Sequence, residues 1–306
     1  MAVIPRVVRF RRILAFICAV ALCLVACPSF AKEPPRHQEQ KVLIEAGDIM
    51  LGATLYRPAS VTGAVPAIVT AHGSAPSTRE GVGFYTNRAL EMGFAVLSFD
   101  KRGTGDSSGE YEAFTVEQSD RIFHDLAMDV VWSVRWLAKQ DRIDASRIGL
   151  LGGSQAGWVM PLAASNEPLV KFIIIGEGVP LSAGEEAVHE NYLLTHAPDA
   201  GTYDELPIAE ADQALYQYDG MTGYDPAPQL EALDIPVLWF FGLRDWVIPV
   251  TPSIDRLEAL ISSGKSNHEV HVFAFGDHNF TNRATGERYD LVAIMQPWLM
   301  KHGFLD

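Results

Sequence analysis

Apolar residues along this chain fall into two alternating rhythms. Short apolar-rich runs recur at Pro66–Ala71, Phe94–Phe99, Arg147–Leu151, Val170–Ile175, Pro236–Phe241 and Glu269–Phe273. Most are nearly continuous, as strands covered on both faces require. Longer stretches with helical spacing lie between them. Phe123–Leu137 places Leu126, Val130, Val134 and Leu137 on one face and charged residues on the others. Glu80–Met92, the segment after Leu151 to about Ser165, Thr251–Ser263 and Tyr289–Lys301 read the same way. Before them, Lys41–Ala46 and Met50–Tyr56 alternate apolar and polar residues around Gly47-Asp48, the pattern of an antiparallel hairpin. Lys32–Gln40 is polar and contains prolines, and reads as a linker.

Strand and helix in alternation predict parallel βαβ units with right-handed crossovers. From Gly178 to Leu233 that rhythm breaks, with helix-like pieces near Ala187–Leu194 and Glu210–Tyr218. Structureless loops beyond ~15 residues are uncommon in compact domains, so this segment reads as an inserted helical cap. The expected fold class is α/β: a mostly parallel central sheet with an antiparallel N-terminal hairpin, helices on both faces and a helical cap insertion. The core spans residues 32–177 and 234–306, and the cap 178–233.

Residues 1–31 stand apart. Arg6, Arg9, Arg11 and Arg12 precede an apolar stretch, Ile13–Ala26, too short for a comfortable membrane span. Ser29-Phe30-Ala31 then offers small residues for a signal-peptidase cut before Lys32. A second reading takes Leu24-Val25-Ala26-Cys27 as a lipobox, with Cys27 lipidated and first in the mature chain. Plain export, periplasmic or secreted, is the favoured reading; a lipoprotein is the alternative. Cys18, Cys23 and Cys27 are the three cysteines, so a chain cut after Ala31 holds no thiol for a disulfide or a structural zinc site. Net charge is −14, and removing the four leader arginines takes it to −18. That balance argues against a nucleic-acid partner. No membrane partner is expected unless Cys27 is lipidated.

Chemistry concentrates after the strand-like runs. Gly152-Gly153-Ser154-Gln155-Ala156-Gly157 follows one of them and opens a helical segment, the layout of a nucleophile elbow. Small residues are needed around such a serine because the turn is sharp. Alanine at 156 replaces the usual glycine. A serine hydroxyl needs a base within hydrogen-bond reach and a group to orient that base. Asp245, in Gly242-Leu243-Arg244-Asp245-Trp246, and His278, in Phe275-Gly276-Asp277-His278-Asn279, each follow a later run. Their order, Ser, Asp, His, assigns Ser154 as nucleophile, His278 as base then acid, and Asp245 as the residue that orients the imidazole.

With His72-Gly73-Ser74 and Asp100-Lys101-Arg102-Gly103-Thr104-Gly105-Asp106-Ser107, these motifs make the sequence resemble an α/β-hydrolase from about Val42 to Phe304. Within that superfamily it looks like bacterial carboxylesterases related to dienelactone hydrolases and prolyl-oligopeptidase-type domains. The resemblance implies an oxyanion hole made by the backbone N–H groups of Gln155 and Ser74, with His72 supporting the loop. It also implies that Asp100 and Arg102 stabilise their turn through an internal ion pair.

Other residues carry plainer expectations. Asp277 holds a turn, and Trp158 is core. Glu185 and Glu186 form a solvated helix face, with capture of a substrate ammonium as the alternative. His268 and His271 lack a third ligand, so no metal site is expected there. Tyr192, Tyr203, Tyr216, Tyr218 and Tyr224 suggest a pocket wall in the cap. The functional expectation is an exported serine hydrolase acting on small-molecule carboxylic esters through an acyl-enzyme, without a cofactor. A peptidase or amidase, a thioesterase, and a non-catalytic ligand-binding hydrolase fold are the alternatives; in the last, Asp245 turns away from His278.

Overall fold

A computed structural model describes residues 37–59 and 61–306. The expected leader, the expected cleavage site and the three cysteines lie outside them. Eight strands form one sheet: β1 (His37–Ala46), β2 (Ile49–Pro58), β3 (Val65–Ala71), β4 (Ala95–Phe99), β5 (Ile143–Gly153), β6 (Val170–Gly176), β7 (Val237–Gly242) and β8 (His268–Phe273). Their order across the sheet is β1-β2-β4-β3-β5-β6-β7-β8. The β1–β2 and β2–β4 pairs are antiparallel and all the others parallel.

The hairpin turns at Gly47, whose φ of +68° suits glycine. Its first strand starts four residues before Lys41, with His37–Gln40 in register against Leu55–Pro58. The polar stretch read as linker is therefore part strand. An edge strand pairs through its backbone and needs no apolar face, so His37–Gln40 carry no hydrophobic signal.

The helices sort by face. Helices α2 (Ser119–Leu137), α3 (Ala156–Asn166) and α7 (Val250–Ser262) cover one side. Helices α1 (Gly83–Glu91) and α8 (Val292–Lys301) cover the other. Alternate strand residues feed the two layers. Ile173, Ile175, Trp239 and Phe241 join the first core, while Phe172, Ile174, Leu238 and Phe240 join the second. Two buried faces are why these strands read as continuous apolar runs. The expected helix at Glu80–Met92 begins as a tight 3-10 turn, Arg79–Val82, before α1.

Between β6 and β7 lie α4 (Ala183–His196), α5 (Ile208–Tyr216) and α6 (Ala227–Ala232). Ser182 and Glu185 form a reciprocal capping box at the start of α4. The segment is fastened to the core by Arg256–Glu185 (2.8 Å) and Arg244–Asp204 (2.6 Å), and by Tyr216 to Asp255. Its last part merges with the first core layer through Tyr224, Leu230 and Leu233. Tyr224 packs edge-on against Phe123, so it belongs to the core and not to a pocket wall. Its ring is consumed in filling the gap over α2, which sequence spacing could not reveal.

Candidate active site

The carboxyl ends of β3, β5, β6, β7 and β8 lie side by side, because those strands are neighbours in that order. Each contributes one polar element: Gly73-Ser74 after β3, Ser154 after β5, Glu177 after β6, Asp245 after β7 and His278 after β8. Open α/β sheets bind ligands at this edge.

Ser154 sits at the elbow with φ +58°, a left-handed conformation that a non-glycine residue adopts only under constraint. Its N–H points to the carbonyls of Gly176 (3.0 Å) and Glu177 (3.1 Å). The turn is tight enough that a Cβ on Gly152 would lie 2.5 Å from the Ala71 carbonyl oxygen and 3.0 Å from the Ala156 methyl. Alanine at 156 is accepted because Gly152 carries no side chain against it.

Gly73 lets the β3 loop approach the serine. A Cβ there would stand 3.5 Å from Ser154 Cβ and 3.8 Å from its Oγ. The N–H groups of Ser74 and Gln155 make no hydrogen bond among the described residues. Two orphan donors near one serine hydroxyl are what an oxyanion hole requires. His72 is buried, its ring edge-on to Phe99 at 5.0 Å. Burial, then the neighbouring Lys101, push its pKa down to about 3, so it is a neutral packing residue. Lys101 itself bonds Gly73 O (2.5 Å), Ala75 O (3.2 Å) and Gln155 Oε1 (3.0 Å).

Asp245 and His278 meet. Asp245 Oδ2 is 2.7 Å from His278 Nδ1, and Asp245 Oδ1 accepts the Val247 N–H at 2.8 Å. The aspartate side chain is fully buried while the imidazole is 23% exposed, so the ring faces the cleft and the acid faces the protein. The His278 loop is anchored by Phe280, buried against Phe240 and Phe273, with φ +57°. Asp277 accepts the N–H groups of Asn279 (3.0 Å) and Thr281 (2.8 Å), which confines it to the turn as expected. Ser154 Oγ makes no hydrogen bond among the described residues; such contacts commonly tighten only in the substrate complex.

One buried acid escaped the sequence reading. Glu177 follows β6, is 1% exposed, and has φ +47°. Its N–H donates to Phe240 O (2.8 Å) and its carbonyl accepts the Ser154 N–H, tying the elbow to β7. Both carboxyl oxygens are buried without a hydrogen-bond partner among the described residues. Burial, and then the Asp245 carboxylate, hold its pKa well above the usual glutamate range. The same two acids, after burial, raise the pKa of Tyr85, whose hydroxyl would lie 2.1 Å from a Cβ on Gly153. Nothing local marks Glu177 as special; only the glutamate directly after a buried strand could have drawn attention.

A carboxyl whose pKa is raised on folding supports the native state below its unfolded pKa, ~4.3, and loses that support as pH rises towards the folded value. Glu177→Gln removes this titration. Its melting temperature relative to wild type is therefore expected to increase between pH 5 and pH 8, read by thermal denaturation at both. Parallel curves would show that the carboxyl is not perturbed.

Other expectations need correction. Asp100 and Arg102 do not pair with each other. Asp100 takes Arg79 (2.8 and 2.5 Å), and Arg102 takes Asp129 (2.8 Å) and Asp125 (3.3 Å). The two side chains stand two positions apart in the sequence, and each pairs with a different partner. Glu185 is no solvated face, being held by the α4 cap and by Arg256. Glu186 is half-buried, and burial, then Glu190, raise its pKa to about 8. Trp158 is buried as expected, donating to Leu181 O at 2.7 Å. His268 is buried against Trp239, which donates to its Nδ1 at 3.2 Å, and no group of three or more metal-ligating side chains occurs among the described residues.

Residues 47–203 match the family model of the X-Pro dipeptidyl-peptidases (S15 family), more than half of the chain. The chain belongs to the S15 family. The matched region runs from the hairpin turn through the elbow and Glu177, and ends in the inserted segment. An uncharacterised 31.7 kDa protein of Escherichia coli is 31% identical over 136 residues, 42% of this chain and 45% of that protein. The alignment thus spans under half the length of that curated relative. Among solved structures, an esterase of Pyrococcus furiosus superposes with a TM-score of 0.62 at 18% identity, over 87% of this chain and 91% of that one. An acylaminoacyl peptidase of Pyrococcus horikoshii gives 0.62 at 16% identity, over 88% of this chain and 42% of that one. At such identities the likeness shows the fold, an α/β-hydrolase.

Proposed function

We propose that this chain is an exported serine carboxylesterase with Ser154, His278 and Asp245 as its triad. The observation that carries the reading is the 2.7 Å bond from His278 Nδ1 to a fully buried Asp245, two strands along the sheet from the strained Ser154. That arrangement is the opposite of what a non-catalytic fold with a displaced acid would have.

In this reading Ser154 Oγ attacks the ester carbonyl carbon and its proton passes to His278 Nε2. The oxyanion is held by the N–H groups of Ser74 and Gln155. The C–O bond to the alcohol then breaks, and the alcohol leaves with the proton from His278. Water repeats the path in reverse, releasing the acid and restoring Ser154. The ring nitrogen facing Asp245 keeps its proton throughout, which fixes the tautomer.

Membership of the S15 family favours a peptidase as the second reading. An enzyme that trims from a peptide amino terminus needs an acid free to receive the ammonium. Glu185 is already paired with Arg256, and a Glu186 with a pKa near 8 is largely neutral at pH 7. Trp246 and Val247, each nearly half exposed beside Asp245, offer apolar surface to an acyl or alcohol group instead.

The expected result is fluorophosphonate labelling of wild type, and turnover of p-nitrophenyl acyl esters at least a hundredfold faster than of aminoacyl-prolyl p-nitroanilides. Inert esters alongside active prolyl amides would replace this reading with the peptidase. For export, the basic and apolar leader supports a mature protein beginning at Lys32, and the intact mass of protein recovered from the periplasm distinguishes this from a lipidated Cys27.

A further inference from the structure

We propose that Lys101 is a positioning residue for the oxyanion hole, its ammonium polarising the very peptide group whose N–H faces the reacting carbonyl. The inference rests on the assignment of Ser74 and Gln155 as oxyanion donors.

Lys101 lies two residues beyond β4, the strand beside β3, and is 2% exposed. Its three N–H donors have three acceptors: Gly73 O, Ala75 O and Gln155 Oε1. No carboxylate lies within ion-pair distance among the described residues. Asp100, its neighbour, is committed to Arg79 and to the Asp106 N–H. Arg102, on the other side, is committed to Asp129 and Asp125. His72, beside it, is neutral. The Tyr111 ring lies 5.5 Å from Nζ, and the Tyr111 hydroxyl donates to Ser74 O at 2.5 Å. A full positive charge is thus buried against neutral dipoles alone, which is costly unless those dipoles are strongly aligned.

The alignment has a direction. Gly73 C=O and Ser74 N–H belong to one planar peptide, and in a trans peptide the N–H points away from the C=O. A cation on the oxygen draws electron density across the group and strengthens the N–H as a donor, the cooperative effect known for hydrogen-bond chains. Ser74 N–H therefore passes on part of the Lys101 charge to whatever it faces. The bond to Gln155 Oε1 acts on the second donor by position, since it holds the elbow residue whose backbone N–H completes the pair. One nitrogen so fixes the spacing of two donors that come from different loops. Gln155, whose side chain had no assigned use in the sequence, acquires one.

Burial lowers the Lys101 pKa to about 8, so this support weakens on the alkaline side. Glu186, in α4, also titrates near 8 and must be separated from it.

The test uses the full-length enzyme with a p-nitrophenyl ester. Lys101→Met is expected to lower kcat ten- to hundredfold, to change KM less than threefold, and to weaken a boronic acid that forms a tetrahedral adduct by the same factor as kcat. Wild-type kcat should fall along an alkaline limb with its midpoint near pH 8. Lys101→Arg, which stays charged, should remove that limb, whereas Glu186→Gln should leave it in place. A kcat in Lys101→Met within threefold of wild type overturns the proposal, as does a loss confined to KM or an unchanged boronate affinity. If Lys101→Met does not fold, an alkaline limb that persists in Lys101→Arg overturns it. Fluorophosphonate labelling that depends on Ser154 tests the underlying triad separately, so the two failures are distinguishable.

Discussion

Ser154→Ala should lower ester turnover by about 10⁵-fold while leaving the fold intact. In serine hydrolases whose parts act as a unit, losing the nucleophile costs on the order of 10⁴–10⁶ in kcat. Alanine keeps the small size the elbow needs and loses only Oγ, which makes no hydrogen bond among the described residues. The left-handed φ of +58° is no worse for alanine than for serine. Melting temperature should therefore stay within a few degrees. Stopped assays with a p-nitrophenyl ester, together with loss of fluorophosphonate labelling, read the result. An activity within tenfold of wild type would remove Ser154 from the mechanism.

Asp245→Asn should cost about 10⁴-fold in kcat, because an amide in place of the acid favours the wrong imidazole tautomer. Here the consequence reaches further. Asp245 also raises the pKa of Glu177, so the substitution should bring the glutamate down towards its ordinary range and flatten the alkaline loss of stability. Kinetics and thermal denaturation across pH thus report on one carboxylate from two sides. If turnover survived Asp245→Asn and disappeared in Glu177→Gln instead, Glu177 would be the acid that serves His278.

The distinction between these two acids shows where sequence reading ends. Asp245 was legible because it stands a few residues beyond an apolar run, in the chain order Ser, Asp, His. Glu177 also follows such a run, but with no spacer and no motif. What makes it unusual is that β6 lies between β5 and β7, so its carboxyl is enclosed beside Asp245, 68 positions later. Lys101 is the same case on the other side of the serine. It sits inside a recognised motif, yet only the β4–β3–β5 order brings its ammonium under Gly73 and against Gln155.

Patterns with a short period were therefore settled by the sequence itself. Apolar runs covered on both faces, helical stripes, the Gly47 turn and the small residues around Ser154 all depend on neighbours within a few positions, and each appears where expected. The exceptions are edge residues such as His37–Gln40, which pair without burying anything. Partners of buried charges needed the tertiary structure. Asp100 chose Arg79 over nearby Arg102, and Glu185 reached Arg256. A charge removed from water must find its counterpart wherever packing supplies one. Chain order does not encode that distance; the order of strands in the sheet does.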